Sequence, residues 1–422
     1  MSIAVVGMFD EREEALALIR ERIEQRGHKA LLIDICIGTG AIVPSLKADI
    51  GYGELSELGG GPSSGVMEYL PDRRGDAIAI MTKGLKEKVM SLHRSGEIEG
   101  ILAITGLTGA MISLPAMREL PFGLPKIIIS SAMALPVHAD KYAEFVCVKD
   151  ITVMHAVVDT VGMNSLVRKI ALNGADAISG MVEKPEITGQ ETKPSVAITE
   201  FGFTDQGAHY IRELLEDKYE LVSFHANGVG DMAAMEIIPQ GSFAAFIDLV
   251  PGAFSEYLLG GNRNNSGPNR LDIAADLSIP YILCPGGFDI ISCGPVERKD
   301  KGDKLWESRK LAQRKLYIQE HPRAHARMNA EELAYVASSV AERLNLYKHK
   351  ERVKIVIPTR GFSSLSVEGG PLYDPEADMM LGKTLKKCLD PEIEIIEVDS
   401  DINSKEFAQA VTKALKQTLK LI

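Results

Sequence analysis

The sequence predicts an α/β fold of two Rossmann-like domains, each a doubly wound parallel sheet, with a ligand cleft between them. Three observations carry that expectation. Short apolar, β-branched runs alternate with stretches of helical spacing along nearly the whole chain. The alternation starts afresh near residue 195, so the halves read as copies of one unit. Glycine-rich turns follow the strand-like runs, as in GTG at 38–40, TGLTG at 105–109, NGVG at 227–230 and CPGG at 284–287.

IAVVG at 3–7 is a short strand of the buried type. Residues 11–26 then place Ala15, Leu16, Leu18, Ile19 and Ile23 at helical spacing, and Gly27 stands where a C-terminal cap is expected. KALLIDICI at 29–37 is the second strand and completes a βαβ unit. After a glycine-rich insert at 38–75, the pattern resumes with a helix over 77–95, a strand at 99–105, a helix over 110–120 and a strand at 125–131. A further strand is expected at 145–148 and a helix over 164–181. The first domain spans 1–182. EKPEITGQETKP at 183–194 has two prolines and no periodicity, so it reads as a linker.

The second domain spans 195–422. SVAITEFG at 195–202 parallels SIAVVGMF at 2–9, ELVSFHA at 220–226 parallels ALLIDIC, FAAFIDLV at 243–250 matches GILAIT, and IPYILCPGG at 279–287 matches LPKIIISSA. The domain then extends through a charged stretch expected to be helical, a helix over 330–346, strands at 353–358 and 393–398, and a last helix that Ser404 is placed to cap.

Composition narrows the function classes. Of 422 residues, 45% are hydrophobic and 25% charged, which suits a soluble globular chain. The formal charge of −11 repels phosphate backbones and anionic lipid, which argues against nucleic acid as a partner. No stretch approaches the ~18 to 20 apolar residues of a membrane span. Five scattered cysteines without a CxxC pair, and an N-terminus that turns acidic after one apolar run, point to the cytoplasm.

Ligands of open parallel sheets bind outside the carboxyl ends of the strands, where these loops fall. At FHANGVGDM (224–232), Asn227, Gly228 and Gly230 precede a helix. The exposed amides of a helix start could cradle a phosphate, and an ordinary βα corner calls for the same glycines. Thr105, Gly106, Thr108 and Gly109 combine hydroxyls with glycines at another helix entry, where they could donate to phosphate oxygens or serve as caps. Ser130 and Ser131 end the neighbouring strand. Gly286 and Gly287 precede Asp289, a metal or hydroxyl ligand or a turn residue. The long loop RGFSSLSVEGGPLYDPEAD at 360–378 offers Arg360 for a phosphate or carboxylate, or for surface pairing with Glu368. His225 could act as acid or base or be an interior histidine. His321 and His325 lack a third metal ligand nearby, so no metal site is expected. The mixed-charge run at 298–315 reads as a solvated face anchored by Trp306.

Four stretches together, LPAMRELPFGLPKIIISSAMA at 114–134, FHANGVG, PYILCPGGFDI at 280–290 and the 360–378 loop, resemble the Tm-type ATP-binding domain family. The resemblance covers nearly the whole chain. It implies two Rossmann-like subdomains, a bound nucleotide (ATP, possibly with Mg2+) and a homodimer. Two ligand loops depart from the family pattern. Thr105 and Leu107 stand where glycine and serine are usual, and VPGA at 250–253 replaces a Thr-Thr-Glu run. The expectation is a cytoplasmic protein binding a nucleotide or similar small molecule in the cleft. Thr105, Gly106, Thr108, Gly109, Ser130 and Ser131 would line one wall and Asn227, Gly228, Gly230, Gly286 and Gly287 the other, with Arg360 and Glu368 reaching in. The alternatives are an enzyme acting on a phosphorylated or carboxylated metabolite without ATP, and a regulatory or scaffold protein with a structural ligand.

Overall fold

The structure, a computed structural model, describes residues 1–37, 42–66, 73–183, 193–241, 243–320 and 322–420. Two compact units, Met1–Gly189 and Gln190–Ile422, divide the chain. The GTG turn at 38–40, most of the 183–194 stretch and His321 lie outside the described residues.

In the N-terminal unit the elements are β1 (Ser2–Gly7), α1 (Phe9–Gln25), β2 (Lys29–Asp34), α2 (Tyr52–Leu58), α3 (Arg74–Arg94), β3 (Gly100–Thr105), α4 (Leu107–Glu119), β4 (Lys126–Ser130), α5 (Ala139–Val146), β5 (Ile151–His155) and α6 (Ser165–Val182). The five strands are parallel in the order β2-β1-β3-β4-β5. Both faces are covered, which is why the strands read as continuous apolar runs. Along β1, Ile3 and Val5 face a core with Leu16 and Ile19 of α1 and Ala171 of α6, while Ala4 and Val6 face one with Leu85 of α3 and Ile112 of α4. Gly27 does end α1, with φ +82. The expected strand at 145–148 is instead the end of α5 and its turn, because Tyr142, Phe145 and Val146 recur at helical spacing and pack into the core. The strand at that edge of the sheet is β5.

The C-terminal unit comprises β6 (Ser195–Glu200), α7 (Asp205–Leu215), β7 (Glu220–His225), α8 (Val229–Ile237), β8 (Phe243–Asp248), α9 (Gly252–Leu259), β9 (Tyr281–Leu283), β10 (Ile290–Ser292), α10 (Lys304–Ser308), β11 (Leu316–Glu320), β12 (Arg323–Arg327), α11 (Ala330–Leu344), β13 (Val353–Pro358), α12 (Pro375–Cys388), β14 (Glu394–Val398) and α13 (Lys405–Leu419). Its parallel sheet runs β14-β13-β9-β8-β6-β7, the N-terminal order extended by a sixth strand. Ser404 caps α13 by accepting the Phe407 amide at 3.1 Å.

Two features depart from expectation. The charged stretch at 298–315 is not one helix. Gly302 at φ +65 and Lys310 at φ +51 break it into short turns, while Leu305, Trp306 and Leu311 insert into the core. Beyond it, β10, β12 and β11 form a separate antiparallel sheet that the sequence reading omitted.

Candidate functional site

In both sheets the strand order reverses beside the first strand, between β1 and β3 and between β6 and β8. Crevices at the carboxyl ends of such strands are where α/β sheets take ligands.

In the N-terminal unit, register aligns Thr105, Ser130 and His155 across the carboxyl edge. Gly106 caps α4, and a Cβ there would lie 2.9 Å from Nη2 of Arg12. Arg12 is buried, donates to Thr160 Oγ1 at 2.7 Å and pairs with Glu11. Thr108 accepts from Arg74 at 3.1 Å, and Ser130 Oγ accepts the Ala132 amide at 3.2 Å. Ser131 is half-buried. Gly109 is small because Thr105 lies against it: a Cβ would meet the Thr105 Cβ at 2.8 Å. Thr105 Oγ1 is buried without a hydrogen-bond partner.

In the C-terminal unit, the amides that a phosphate would use at NGVG have partners within the chain. Asn227 Oδ1 accepts from Val229 N at 3.1 Å and Gly230 N at 3.0 Å, and Asp231 Oδ2 accepts from Gly228 N at 2.9 Å. Gly228 has φ +92, and Gly230 packs on the His225 carbonyl, where a Cβ would approach to 2.0 Å. The glycines thus serve a self-capped corner, and Asp231 ties it to the core. Asp231 Oδ1 accepts from Arg270 Nε at 2.6 Å, and Arg270 also forks onto Asp248 at 2.8 and 2.9 Å. Tyr281 and Thr199 complete this network.

Gly286 and Gly287 bring two backbones together. A Cβ on Gly286 would lie 2.3 Å from the Leu249 carbonyl oxygen, and Gly287, at φ +78, meets Gly252. Gly286→Ala is therefore expected to lower stability by about 1–3 kcal/mol through overpacking, read as a lower urea midpoint at unchanged slope, whether or not a ligand is added. Asp289 is buried, with Ser363 donating to its Oδ2 and Oδ1 left without a partner. Arg360 and Glu368 are exposed, and Arg360 forks onto Asp399 at 2.6 and 2.7 Å, in place of the expected pairing with Glu368.

A pocket of about 210 Å³ opens at the ends of β6 and β7. Gly202 and Phe203 follow β6, His225 and Asn227 stand at the end of β7, and Arg323 and His325 come from β12. Arg263 also lines it, above the Phe201 ring with its guanidinium carbon 5.3 Å from the centroid. Its Nε and Nη2 donate to the buried Glu256 at 3.1 and 2.8 Å. Phe203 stands edge-on to His325, ring centroids 5.4 Å apart. Burial, then the charges of Arg263 and Arg323, push the His325 imidazole down to about 4, so it is neutral at pH 7. His225 is exposed, not interior. Sequence reasoning marked Asn227 and His225 but passed over Arg263 and Arg323, which carry no motif and reach the pocket from distant segments.

The geometry defines a two-unit parallel α/β protein with a cationic pocket at one set of strand ends. The chain belongs to the uncharacterised protein family UPF0261, whose N-terminal domain model matches residues 1–186 and whose C-terminal domain model matches 193–419. It is 32% identical to a UPF0261 protein of Clostridium tetani over 418 residues, 98% of each chain. It is 28% identical to the ToMV resistance protein Tm-1(GCR237) of Solanum lycopersicum over 353 residues, 82% of this chain and 45% of that one. Among solved structures, the UDP-N-acetylglucosamine 2-epimerase of Rickettsia bellii matches with a TM-score of 0.23 at 9% identity, over 67% of this chain and 78% of that one, too slight a likeness to argue from. Among the described residues no helix is long and apolar enough to cross a membrane.

Proposed function

We propose that the chain binds a small phosphorylated or carboxylated molecule in the pocket at the ends of β6 and β7. The observation that supports this is the donor set: Arg263 and Arg323, with His225 and His325, line the pocket and no carboxylate does, Arg263 being held by Glu256 and Arg323 by Glu320, on a chain of net charge −11. Guanidinium forks match carboxylate and phosphate oxygens, and the Phe201 and Phe203 rings offer apolar faces to the rest of the ligand. The finer reading, ATP, rests on the family resemblance. At about 210 Å³ the pocket is smaller than the ~300 Å³ at which most ligand sites begin, so it suits a phosphoryl- or carboxyl-bearing fragment better than a whole nucleotide. Mg2+ is ordinarily held through one or two carboxylates as well as phosphates, and this lining supplies none. The proposed binding is metal-independent.

Calorimetric titration with ATP, AMP, a sugar phosphate and citrate, with and without Mg2+, tests the reading. Saturable binding of at least one is expected, with Arg323→Gln weakening it by about tenfold or more and leaving the ligand-free unfolding temperature unchanged. No saturation by any of them, or an Arg323→Gln affinity equal to wild type, overturns it. A bound anion favours the imidazolium form, so the complex takes up a proton at His325. Affinity is expected to rise as pH falls below 6 toward about 4, and His325→Gln to flatten that dependence.

A further inference from the structure

The charged run at 298–315, expected to be a plain solvated face, is folded down onto the protein. Trp306 is buried and its Nε1 donates to the Cys293 carbonyl at 2.8 Å, and Leu305 and Leu311 are buried beside it. This anchoring fixes the cations that follow around a cavity of about 340 Å³, separate from the pocket at the ends of β6 and β7. Arg309, Lys310, Arg314 and Lys315 line it from one side and Arg327 of β12 from the other.

Part of that charge is answered within the chain. Glu332 accepts from Arg309 at 2.9 Å and from Arg314 at 2.6 and 3.0 Å, and Asp378 accepts from Arg327. Asp374 also lines the cavity, but its Oδ1 is engaged in capping α12 through the Ala377 amide at 3.1 Å. Five cations and one carboxylate, Asp374, line the cavity, with Glu332 and Asp378 paired to three of those cations, on a protein whose net charge is −11. Lys310 and Lys315 are the exposed members, and neither forms an ion pair among the described residues, though Lys315 Nζ donates to the Tyr373 carbonyl.

A second, independent observation sits in the wall. Arg327 is 3% exposed, donates Nη1 to the Asp289 carbonyl at 3.2 Å and Nη2 to the Asp374 carbonyl at 3.0 Å, yet its Nε is buried with no partner. That donor is closed to solvent, so Arg327 acts on an anion in the cavity through its buried charge and not through Nε. Asn329 and Asp374, the capping residues of α11 and α12, also line the cavity, so the positive ends of two helix dipoles add to the same field.

We propose that this cavity is a second anion site, which takes the dianionic phosphoryl group of a small phosphate monoester, with Arg327 as the buried charge in its wall and Lys310 and Lys315 closing over it from solvent. Lys310 and Lys315, which form no ion pair among the described residues, suit an anionic group. The volume exceeds what inorganic phosphate fills, so room remains for the ester's organic part.

The test is calorimetric titration of the full chain with inorganic phosphate and with glycerol phosphate. Both are expected to saturate, the ester more tightly. Lys310→Gln combined with Lys315→Gln should weaken one binding event about tenfold or more at an unchanged ligand-free unfolding temperature, whereas Arg323→Gln, in the other pocket, should leave that event unchanged. As a check that needs no variant, glycerol phosphate should slow acetylation of Lys310 and Lys315 in the wild-type chain at least severalfold, read by mass spectrometry. The proposal is overturned by an absence of saturation, by equal affinity in the double variant, by loss on Arg323→Gln instead, or by unprotected lysines.

Discussion

Arg270→Ala is expected to cost about 3–5 kcal/mol of stability, enough to leave the C-terminal half partly unfolded at ambient temperature. Arg270 is fully buried, as are the two carboxylates it joins. Its Nε meets Asp231, and Nη1 and Nη2 fork onto Asp248, which also accepts from Tyr281 at 2.8 Å and Thr199 at 2.7 Å. Removing the guanidinium strands two carboxylates in the interior, Asp248 with the Tyr281 and Thr199 hydroxyls and Asp231 with the Gly228 amide alone. Each must then be protonated or hydrated at a cost the intact network avoids. The damage is also positional. Asp248 ends β8 and Asp231 holds the first amide of the corner before α8, so the network pins two adjacent strand-end loops together. Urea unfolding followed by circular dichroism measures the loss. A change below about 1 kcal/mol would mean that the carboxylates find other partners and that the network is not what ties the β7–α8 corner to the sheet.

That network shows what the sequence could and could not disclose. The parallel strands were legible because both their faces are covered, so IAVVG, GILAIT and VKIVIP stand out as unbroken apolar runs, and the helices between them keep their 3.6-residue spacing. The antiparallel sheet was not. β10 is three residues long, and the β11–β12 pairing carries a register shift between Ile318 and Glu320, so neither offers a clean period-two signal. Residues 145–148 were misread for a related reason: a short apolar cluster fits strand and helix alike, and only packing decides.

The proposed pocket was legible in part as a position in the chain but not as chemistry. Asn227 and its glycines do stand at a strand's carboxyl end, beside a cationic pocket. The residues that charge that pocket, Arg263 and Arg323, come from a loop after α9 and from a hairpin, and no local spacing announces their convergence. Arg360 makes the same point in reverse. Its position after a strand suggested ligand recognition, and the partner that holds it, Asp399, lies 39 residues further on, at the end of the next strand.

Asp34→Asn is expected to stabilise the N-terminal unit at pH 7 by up to about 3 kcal/mol and to remove part of its pH dependence. Asp34 ends β2 at 5% exposure, its Oδ1 accepting the Cys36 amide at 2.9 Å and the Phe9 amide at 3.4 Å. Burial raises its carboxyl from 3.8 to about 6. The two amides oppose the rise, and the charge of Asp10 adds to it. The folded state therefore holds a proton that the unfolded chain has released between pH 3.8 and about 6. Its contribution to stability is complete below that window, declines as pH rises through it and levels off above, a fall of about 3 kcal/mol at 1.36 kcal/mol per pKa unit. Asparagine keeps an acceptor oxygen for both amides and carries no charge to desolvate. Other groups titrate in the same range, so the quantity to read is the difference between variant and wild type in urea unfolding from pH 4 to 7.5. That difference should be near zero at the acid end and grow toward neutrality. Parallel curves would place the burden of burial elsewhere and show that Asp34 ionises in the fold as readily as in water.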